Sequence, residues 1–149
     1  MNSPQAVPKR FVSIVEALRE SNPWTRNEWL CRPDVVEADK LLLVRANMEP
    51  GRGHPFHLHL HREEIIYVIY GRAEQWVGQE HRVLGPGEIA HIPAGMVHAT
   101  YTPHEEPLVF LAILSPALLP AEQADAPDPV DVSTQEPWCG LRQGFPPCL

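Results

Sequence analysis

Short runs of apolar residues, separated by turn-forming residues, dominate the central half of the chain. Glycine and proline mark the breaks, as in Gly85-Pro86-Gly87 and Pro93-Ala94-Gly95. Many short strands at this spacing, with no helical pattern between them, are typical of an antiparallel sandwich or barrel. We therefore predict an all-β barrel domain over residues 40–115. Its strands are expected at residues 40–48, 56–60, 64–70, 73–77, 81–84, 88–92, 97–101 and 108–114.

Several of these predicted strands are apolar on both faces. Residues 41–44, 65–70 and 109–114 show no clean alternation of apolar and polar side chains. An antiparallel strand usually leaves one face in contact with water, so these strands indicate that the outer surface of the barrel is also covered. An N-terminal helix, the C-terminal tail or a second subunit are the alternatives, and a homodimer is the expectation.

The N-terminal extension, residues 1–39, shows a different pattern. Apolar residues recur there at i, i+3, i+4 and i+7, the spacing of one face of a helix, and the pattern stops before Pro23. We predict a short helix over about residues 10–20. Its polar face has mixed charge, which favours docking on the barrel or a partner over binding to a membrane surface. The apolar stripe consists of Phe11, Ile14, Val15 and Leu18.

The C-terminal tail, residues 116–149, is acidic and rich in proline. Such a composition rarely forms a core of its own. Val130 and Val132 nevertheless alternate with polar residues, and Trp138 and Leu141 follow them. We therefore expect a linker at residues 117–128, a segment docked on the barrel or a neighbour at residues 129–142, and loose terminal residues.

Composition and charge exclude several classes of partner. The 149 residues are enough for one domain, and the formal net charge is −7, so there is no basic surface of the kind that nucleic acids require. No stretch reaches the roughly 20 apolar residues that a membrane span needs. The N-terminus has no apolar region of a secretory signal, and the three cysteines contain no CxxC pair. Both observations favour a cytoplasmic protein without a disulfide framework.

Histidines with the spacing of metal ligands lie in the predicted barrel. His57 and His59 are two residues apart on a strand, so their side chains point to the same face, roughly 7 Å apart. A short turn then allows Glu64 to enter from the start of the next strand. His98, on a separate strand, fits as the fourth ligand because side chains from several strands surround the interior of a barrel.

Other residues compete for these roles. His61 offers an alternative pair with His59, but this pair leaves too few residues for the turn before Glu64. Glu63 is the alternative to Glu64, and His91 is either a pocket residue or a hydrogen-bonded histidine without a ligand role. The histidines in or near predicted turns, which we interpret as surface or hydrogen-bonded residues, are His54, His81 and His104.

Two motifs in this region resemble those of the cupin family. The first, G-x5-H-x-H-x4-E-x6-G, runs from Gly51 to Gly71, and the second, G-x5-P-x-G-x2-H, runs from Gly87 to His98. The resemblance covers roughly residues 41–115. One departure is Thr102, which stands where the family often has a structural asparagine, and it affects no expected ligand. The resemblance implies a double-stranded β-helix, or jelly roll, with one ion held by His57, His59, Glu64 and His98.

The resemblance also implies which ions and reactions to expect. Three imidazoles and one carboxylate suit first-row divalent metals, and Fe, Mn, Ni, Cu, Co and Zn all remain candidates. We expect a small metalloenzyme with a small-molecule ligand in the barrel, with dioxygenase-like oxidation favoured and Glu64 as a possible base. An isomerase or lyase and a non-catalytic binding module are the alternatives. The expected pocket walls are Met48, Phe56 or Leu58, Ile66, Val68 and Gln75.

Overall fold

A computed structural model describes residues 9–149, and its regular secondary structure consists almost entirely of strands. The barrel strands lie within two residues of most of the predicted positions, although the second begins earlier and ends sooner than expected. The strands are β1 (Leu18–Ser21), β2 (Arg26–Cys31), β3 (Leu42–Met48), β4 (Arg52–Leu58), β5 (Glu63–Tyr70), β6 (Ala73–Val77), β7 (Glu80–Leu84), β8 (Ile89–Ile92), β9 (His98–Thr102), β10 (Leu108–Ser115) and β11 (Val130–Asp131). Single 3-10 turns lie at Ile14–Glu16, Ala121–Gln123 and Trp138–Gly140.

The strands form two antiparallel sheets that face each other. The larger sheet has the order β1-β2-β3-β10-β5-β8, and the smaller sheet has the order β11-β4-β9-β6-β7. Sequence neighbours such as β3 and β4 lie in different sheets, so the chain crosses repeatedly between the two layers. This arrangement confirms the predicted jelly-roll barrel.

The main core lies between the sheets and follows from period-two patterning. In β3 and β10 buried and half-buried residues alternate without exception, so every second side chain points inward. Burial of one such aliphatic side chain contributes about 1.5–3 kcal/mol. The largest of the fully enclosed apolar residues are Met48, Val68, Ile92 and Leu108.

The predicted helix over residues 10–20 is wrong. Only Ile14–Glu16 forms a 3-10 turn, and Leu18–Ser21 is strand β1, paired with β2. The apolar stripe meets no core, since Phe11 is 89% and Val15 76% exposed. A helix this short is unstable in water without such packing, and pairing with β2 satisfies the backbone hydrogen bonds instead.

The N-terminal extension adds two strands to the larger sheet. Strand β2 pairs with β3 along most of its length, and β1 pairs with β2 at the edge. The extension is therefore continuous with the barrel sheet. No helix in residues 9–149 is long and apolar enough to span a membrane.

The C-terminal tail covers the outer face of the smaller sheet. Val130 and Asp131 pair with β4, and a second apolar cluster forms between the sheet and the tail. Arg142 donates two hydrogen bonds to the buried Glu74, at 2.6 and 2.8 Å. The expectation of loose terminal residues is wrong, because the Leu149 backbone exchanges hydrogen bonds with residues 51 and 53. The cluster contains Phe56, Trp76, Ala99, Tyr101 and Val132, with Trp138, Leu141 and Phe145 packed on it.

Gly71, at the end of the first motif, occupies a position that only glycine fits. Its φ is +80°, and a Cβ there would overlap the backbone carbonyl of Pro107. We predict that Gly71→Ala lowers the free energy of unfolding by well over 2 kcal/mol, since backbone strain and overlap add. Gly78 is the matched control because it has a φ of +59° and open space around it, so Gly78→Ala should cost only about 1–2 kcal/mol. Urea unfolding of both variants checks this, and equal losses would contradict it.

Candidate metal centre

Four side chains from the two sheets meet in the cavity between them. His57 in β4 and His98 in β9 are directly paired residues of the smaller sheet. His59 lies one residue beyond β4, and Glu64 enters from β5 of the larger sheet. One ligand-type nitrogen from each of the three histidines lies within 4.8 Å of the others. The structure therefore brings together all four of the predicted residues.

Glu64 lies against two of these rings. Its Oε2 is 3.3 Å from His59 Nε2, and its Oε1 is 3.5 Å from His98 Nε2. The Glu64 side chain is buried, like those of His57 and His98. Its carboxylate therefore lies among the imidazoles and away from bulk water.

Local hydrogen bonds fix the orientation of two of the rings. His57 Nδ1 lies 2.7 Å from the Pro55 carbonyl oxygen, and His98 Nδ1 lies 3.0 Å from the Met96 carbonyl oxygen. A carbonyl oxygen only accepts, so each Nδ1 carries the hydrogen. The neutral rings therefore present a lone pair at Nε2, the form in which histidine binds metals.

The third ring is fixed by a residue from the tail. His59 Nδ1 lies 2.6 Å from Asp128 Oδ1, and the same carboxylate pairs with Arg62. An ionised carboxylate accepts only, so His59 has the same tautomer as the other two rings. In all three neutral rings, Nε2 is thus the nitrogen that is free to bind an ion.

The residues fit a divalent transition-metal ion. The Nε2 lone pairs of His59 and His98 face the carboxylate oxygens of Glu64, and His98 Nε2 is buried without a hydrogen-bond partner among residues 9–149. In the neutral rings these lone pairs repel the carboxylate, and a metal ion between them, or a proton on a ring, relieves the repulsion. Three imidazole nitrogens and one carboxylate oxygen form a donor set for first-row metals.

Burial and neighbouring charges set the ionisation of the site. Burial alone would raise the pKa of Glu64, but its contacts with His59 and His98 outweigh this and hold the pKa below its usual value. Burial, assisted by the nearby His54 and His98, holds the pKa of His57 well below its usual value. At neutral pH the site therefore combines a neutral His57 with an ionised Glu64.

His54 lies in the cavity and not in a turn, contrary to our interpretation. A register shift in the pairing of β4 with β9, between His54 and His57, places both rings on the inner side. The two rings stack at 3.6 Å between centroids, and Trp24 stacks on the other face of His54 at 4.2 Å. Burial lowers the pKa of His54 to about 4.

The alternative ligands are excluded by their positions. Glu63 lies on the outer side of β5, where it is exposed and bonded to His91 at 2.6 Å. Successive residues of a strand point to opposite faces, so Glu64 is the inward residue of the pair. His61 lies in the turn after β4 and is absent from the cluster.

A cavity of about 480 Å³ opens above the four residues. One wall is aliphatic and comes from the larger sheet. Strands β1 and β2 at the edge of the same sheet, with the residues that flank them, add polar and aromatic side chains. The lining includes the mainly aliphatic residues Leu42, Val44, Ala46, Ile66, Phe110, Ala112 and Leu114, and the polar and aromatic residues Glu20, Asn22, Trp24, Thr25, Asn27, Trp29 and Arg32.

The expected pocket walls are only partly confirmed. Ile66 lines the cavity, but Met48 and Val68 lie in the sealed core. Phe56 points to the opposite side and packs under the tail, because the irregularity in β4 changes which residues face inward. Gln75 is buried and accepts a hydrogen bond from Thr100.

Sequence patterns did not indicate three of the site residues. Asp128 lies in a proline-rich segment with no structural pattern, and Trp24 lies between two strands that we did not predict. His54 precedes an irregularity that strand alternation does not reveal. The only available signal was the single short alternation at Val130 and Val132, which marks the strand that brings Asp128 to the site.

Two antiparallel sheets enclosing a histidine-lined cavity define the class of protein: a double-stranded β-helix with a cluster of metal-ligand type. Residues 44–114 match the family described as Cupin domain. The chain belongs to the cupin family.

Known proteins similar to this chain differ in function. The mannose-1-phosphate guanylyltransferase of Escherichia coli K12 is 30% identical over 87 residues, which cover 58% of this chain but only 18% of that enzyme. The dimethylsulfoniopropionate lyase DddQ of Ruegeria pomeroyi is 36% identical over 77 residues, or 51% of this chain and 37% of the lyase. A structure described as a predicted oxalate decarboxylase, from Thermotoga maritima, superposes with a TM-score of 0.64 at 18% identity, over 71% of this chain and 98% of that one. The structural likeness shows the fold alone.

Proposed function

We propose that this cupin binds one divalent transition-metal ion through His57, His59, Glu64 and His98 and acts as an enzyme on a small molecule. One observation carries the proposal. The three histidines converge within 4.8 Å of one another, and Nε2 of His59 and of His98 lie 3.3 and 3.5 Å from the buried carboxylate of Glu64, so one divalent cation between them would bind to every one of these donors. The proposal places the protein in the cytoplasm, where its three free cysteines stay reduced.

The chain's own residues would prepare the reaction. When bound, the ion supplies a Lewis-acidic or redox-active centre with positions open to a ligand. The three rings, held through Nδ1, would bind the ion, and the ionised Glu64 would neutralise part of its charge. We propose that Glu64 also accepts a proton from the ligand, and the aliphatic wall would limit the access of water.

The cavity favours an uncharged or singly charged ligand with an oxygen donor and an apolar body. Arg32 is bonded twice to Asp34 at 2.7 Å, and Arg62 is paired with Asp128. Neither guanidinium is left to bind a phosphate, so a sugar phosphate is a poor fit. The aliphatic wall provides the complementary surface for an apolar body.

Dioxygenase-like oxidation is the first reaction class that we propose. Apart from His54, the acidic and basic groups that line the cavity away from the metal cluster are engaged in ion pairs, Glu20 with Arg32 and Asp128 with Arg62, and the aliphatic wall suits a reaction centred on the ion. A lyase or decarboxylase is the second candidate. The similarity to the dimethylsulfoniopropionate lyase DddQ favours it.

Metal binding tests the proposal directly. We predict that protein purified without chelator or nickel resin binds about one metal ion per chain, and that His57→Ala and His98→Ala bind none. Glu64→Gln should weaken binding by at least tenfold, because it removes the charge that faces the ion. Glu63→Gln is the matched control and should leave binding unchanged. Elemental analysis and metal titration measure this, and a wild-type protein that holds no ion and takes up none would contradict it.

Oxygen consumption separates the two reaction classes. We expect anaerobically iron-loaded protein to consume oxygen with at least one of catechols, thiols or flavonols, and His98→Ala to consume none. An oxygen electrode makes the measurement, with unloaded protein as the control. If none of the three compound classes causes oxygen consumption, and product forms from carboxylic acids under nitrogen, the oxidation is contradicted and the lyase reaction replaces it.

We also propose that the outer face of the larger sheet forms a homodimer interface. Leu111 and Ile113 of β10 pair with Tyr67 and Ile65 of β5, and Tyr67 pairs with Ile89 of β8. These side chains form a continuous apolar row that points away from the core. The tail covers the other sheet, whereas Tyr67 and Ile89 of this row are exposed, which favours a second copy as its occupant.

Light scattering tests the dimer. We predict a mass of twice 16.8 kDa for the wild type and the mass of one chain for Tyr67→Lys, since a charge in an apolar interface is costly. Val83→Lys is the control, because Val83 is a comparably exposed apolar residue on the smaller sheet. A wild type that is monomeric at all concentrations would contradict the prediction.

A further inference from the structure

We propose that Asp128 is a positioning residue of the metal centre, and that it couples metal binding to docking of the tail segment 116–131. The inference rests on the proposed metal site and adds a residue from outside the barrel to it. Asp128 would act on the ion only through His59, whose ring it orients.

The orientation of the His59 ring depends on a residue of the tail, whereas the rings of His57 and His98 are oriented by nearby residues. The carbonyls that hold His57 and His98 belong to residues only two positions earlier in the chain. The acceptor for His59 Nδ1 lies 69 positions later. His59 also lies beyond the end of β4, where its backbone carbonyl accepts a hydrogen bond from Gly95 at 2.8 Å. Its backbone is therefore held by the barrel, whereas its ring is held by the tail.

Arg62 anchors the tail segment at two points. Its Nε and one terminal nitrogen donate to the carbonyls of Pro116 and Ala117, at 2.9 and 3.0 Å, and its other terminal nitrogen pairs with Asp128. Arg62 thus closes a loop whose two ends lie beside each other. The side chains of Arg62 and Asp128 are 15% and 20% exposed, so solvent screens the pair only partly.

Strand β11 completes the placement of Asp128. Val130 pairs with Leu58, and Asp131 pairs with His57. Asp128, two positions before β11, therefore lies beside His59, the residue just beyond β4. The strand register brings the Asp128 carboxylate to His59, the one of the three candidate ligand rings without a hydrogen-bond acceptor on a nearby residue.

Two consequences follow for the metal. A carboxylate on Nδ1–H fixes the tautomer and raises the basicity of the ligating Nε2, and removal of such a partner typically costs 10- to 100-fold in metal affinity. Coupling between two binding events is reciprocal, so metal binding must also tighten docking of the segment. Because Ala117, Asp128 and Pro129 line the cavity, a docked segment also closes one side of the ligand site.

Three variants of the full chain test the inference: Asp128→Ala, Asp128→Asn and the control Asp125→Ala. Asp125 is an exposed aspartate of the same segment, so its loss changes the charge equally. With Co(II) as the probe, competition against a chelating dye should show a 10- to 100-fold weaker affinity for Asp128→Ala, a smaller loss for Asp128→Asn and none for Asp125→Ala. Amide exchange across residues 116–131 should slow on Co(II) binding in the wild type and the control, and not in Asp128→Ala.

Metal-free protein provides an independent readout. Nitrogen-15 spectra should show His59 as the Nδ1–H tautomer in the wild type and as a mixture in Asp128→Ala. Wild-type affinity in Asp128→Ala, or an unchanged tautomer, would overturn the inference and leave the metal site intact. A wild type that binds no Co(II) would instead overturn the metal site, and the tautomer alone would then decide whether Asp128 positions His59.

Discussion

The hydrogen bonds on the outer nitrogens of three histidines are the constraint on which the rest of the site depends. Each Nδ1 donates to an acceptor outside the cluster, so in the neutral ring Nε2 is the nitrogen that is free to bind an ion. Direct pairing of His57 with His98 sets the spacing of two of the rings, and Glu64 approaches from the opposite sheet. The barrel thus brings together ligand atoms whose mutual repulsion a bound cation would offset.

The C-terminal tail both stabilises the fold and orients a residue of the candidate metal site. One part of it buries aromatic residues against the smaller sheet, where Arg142 satisfies the buried Glu74. Loss of one partner of such a buried pair typically costs 3–5 kcal/mol, so docking of the tail is energetically significant. The part that precedes it carries Asp128 to His59. Packing on the outer face of the barrel is therefore linked to the orientation of a residue inside it.

Prediction from the sequence succeeded where a pattern is local. Strand alternation and turn residues predicted the barrel strands, and residue spacing predicted the convergence of His57, His59, Glu64 and His98. It failed where contacts over long sequence distances decide the conformation. The stripe of Phe11 and its neighbours has helical spacing but no core to pack against, so strand pairing prevailed. Asp128 has no pattern of its own, since its position depends on pairing between β11 and β4.

The central claim is that one ion binds between the two sheets through three Nε2 atoms and Glu64. Anomalous diffraction from crystals grown with Zn(II) tests it most directly. The account predicts a single strong peak in the cavity, about 2.0–2.2 Å from Nε2 of His57, His59 and His98 and from a carboxylate oxygen of Glu64. A peak bound through Nδ1, a peak only on the protein surface, or a cavity without any peak would contradict it.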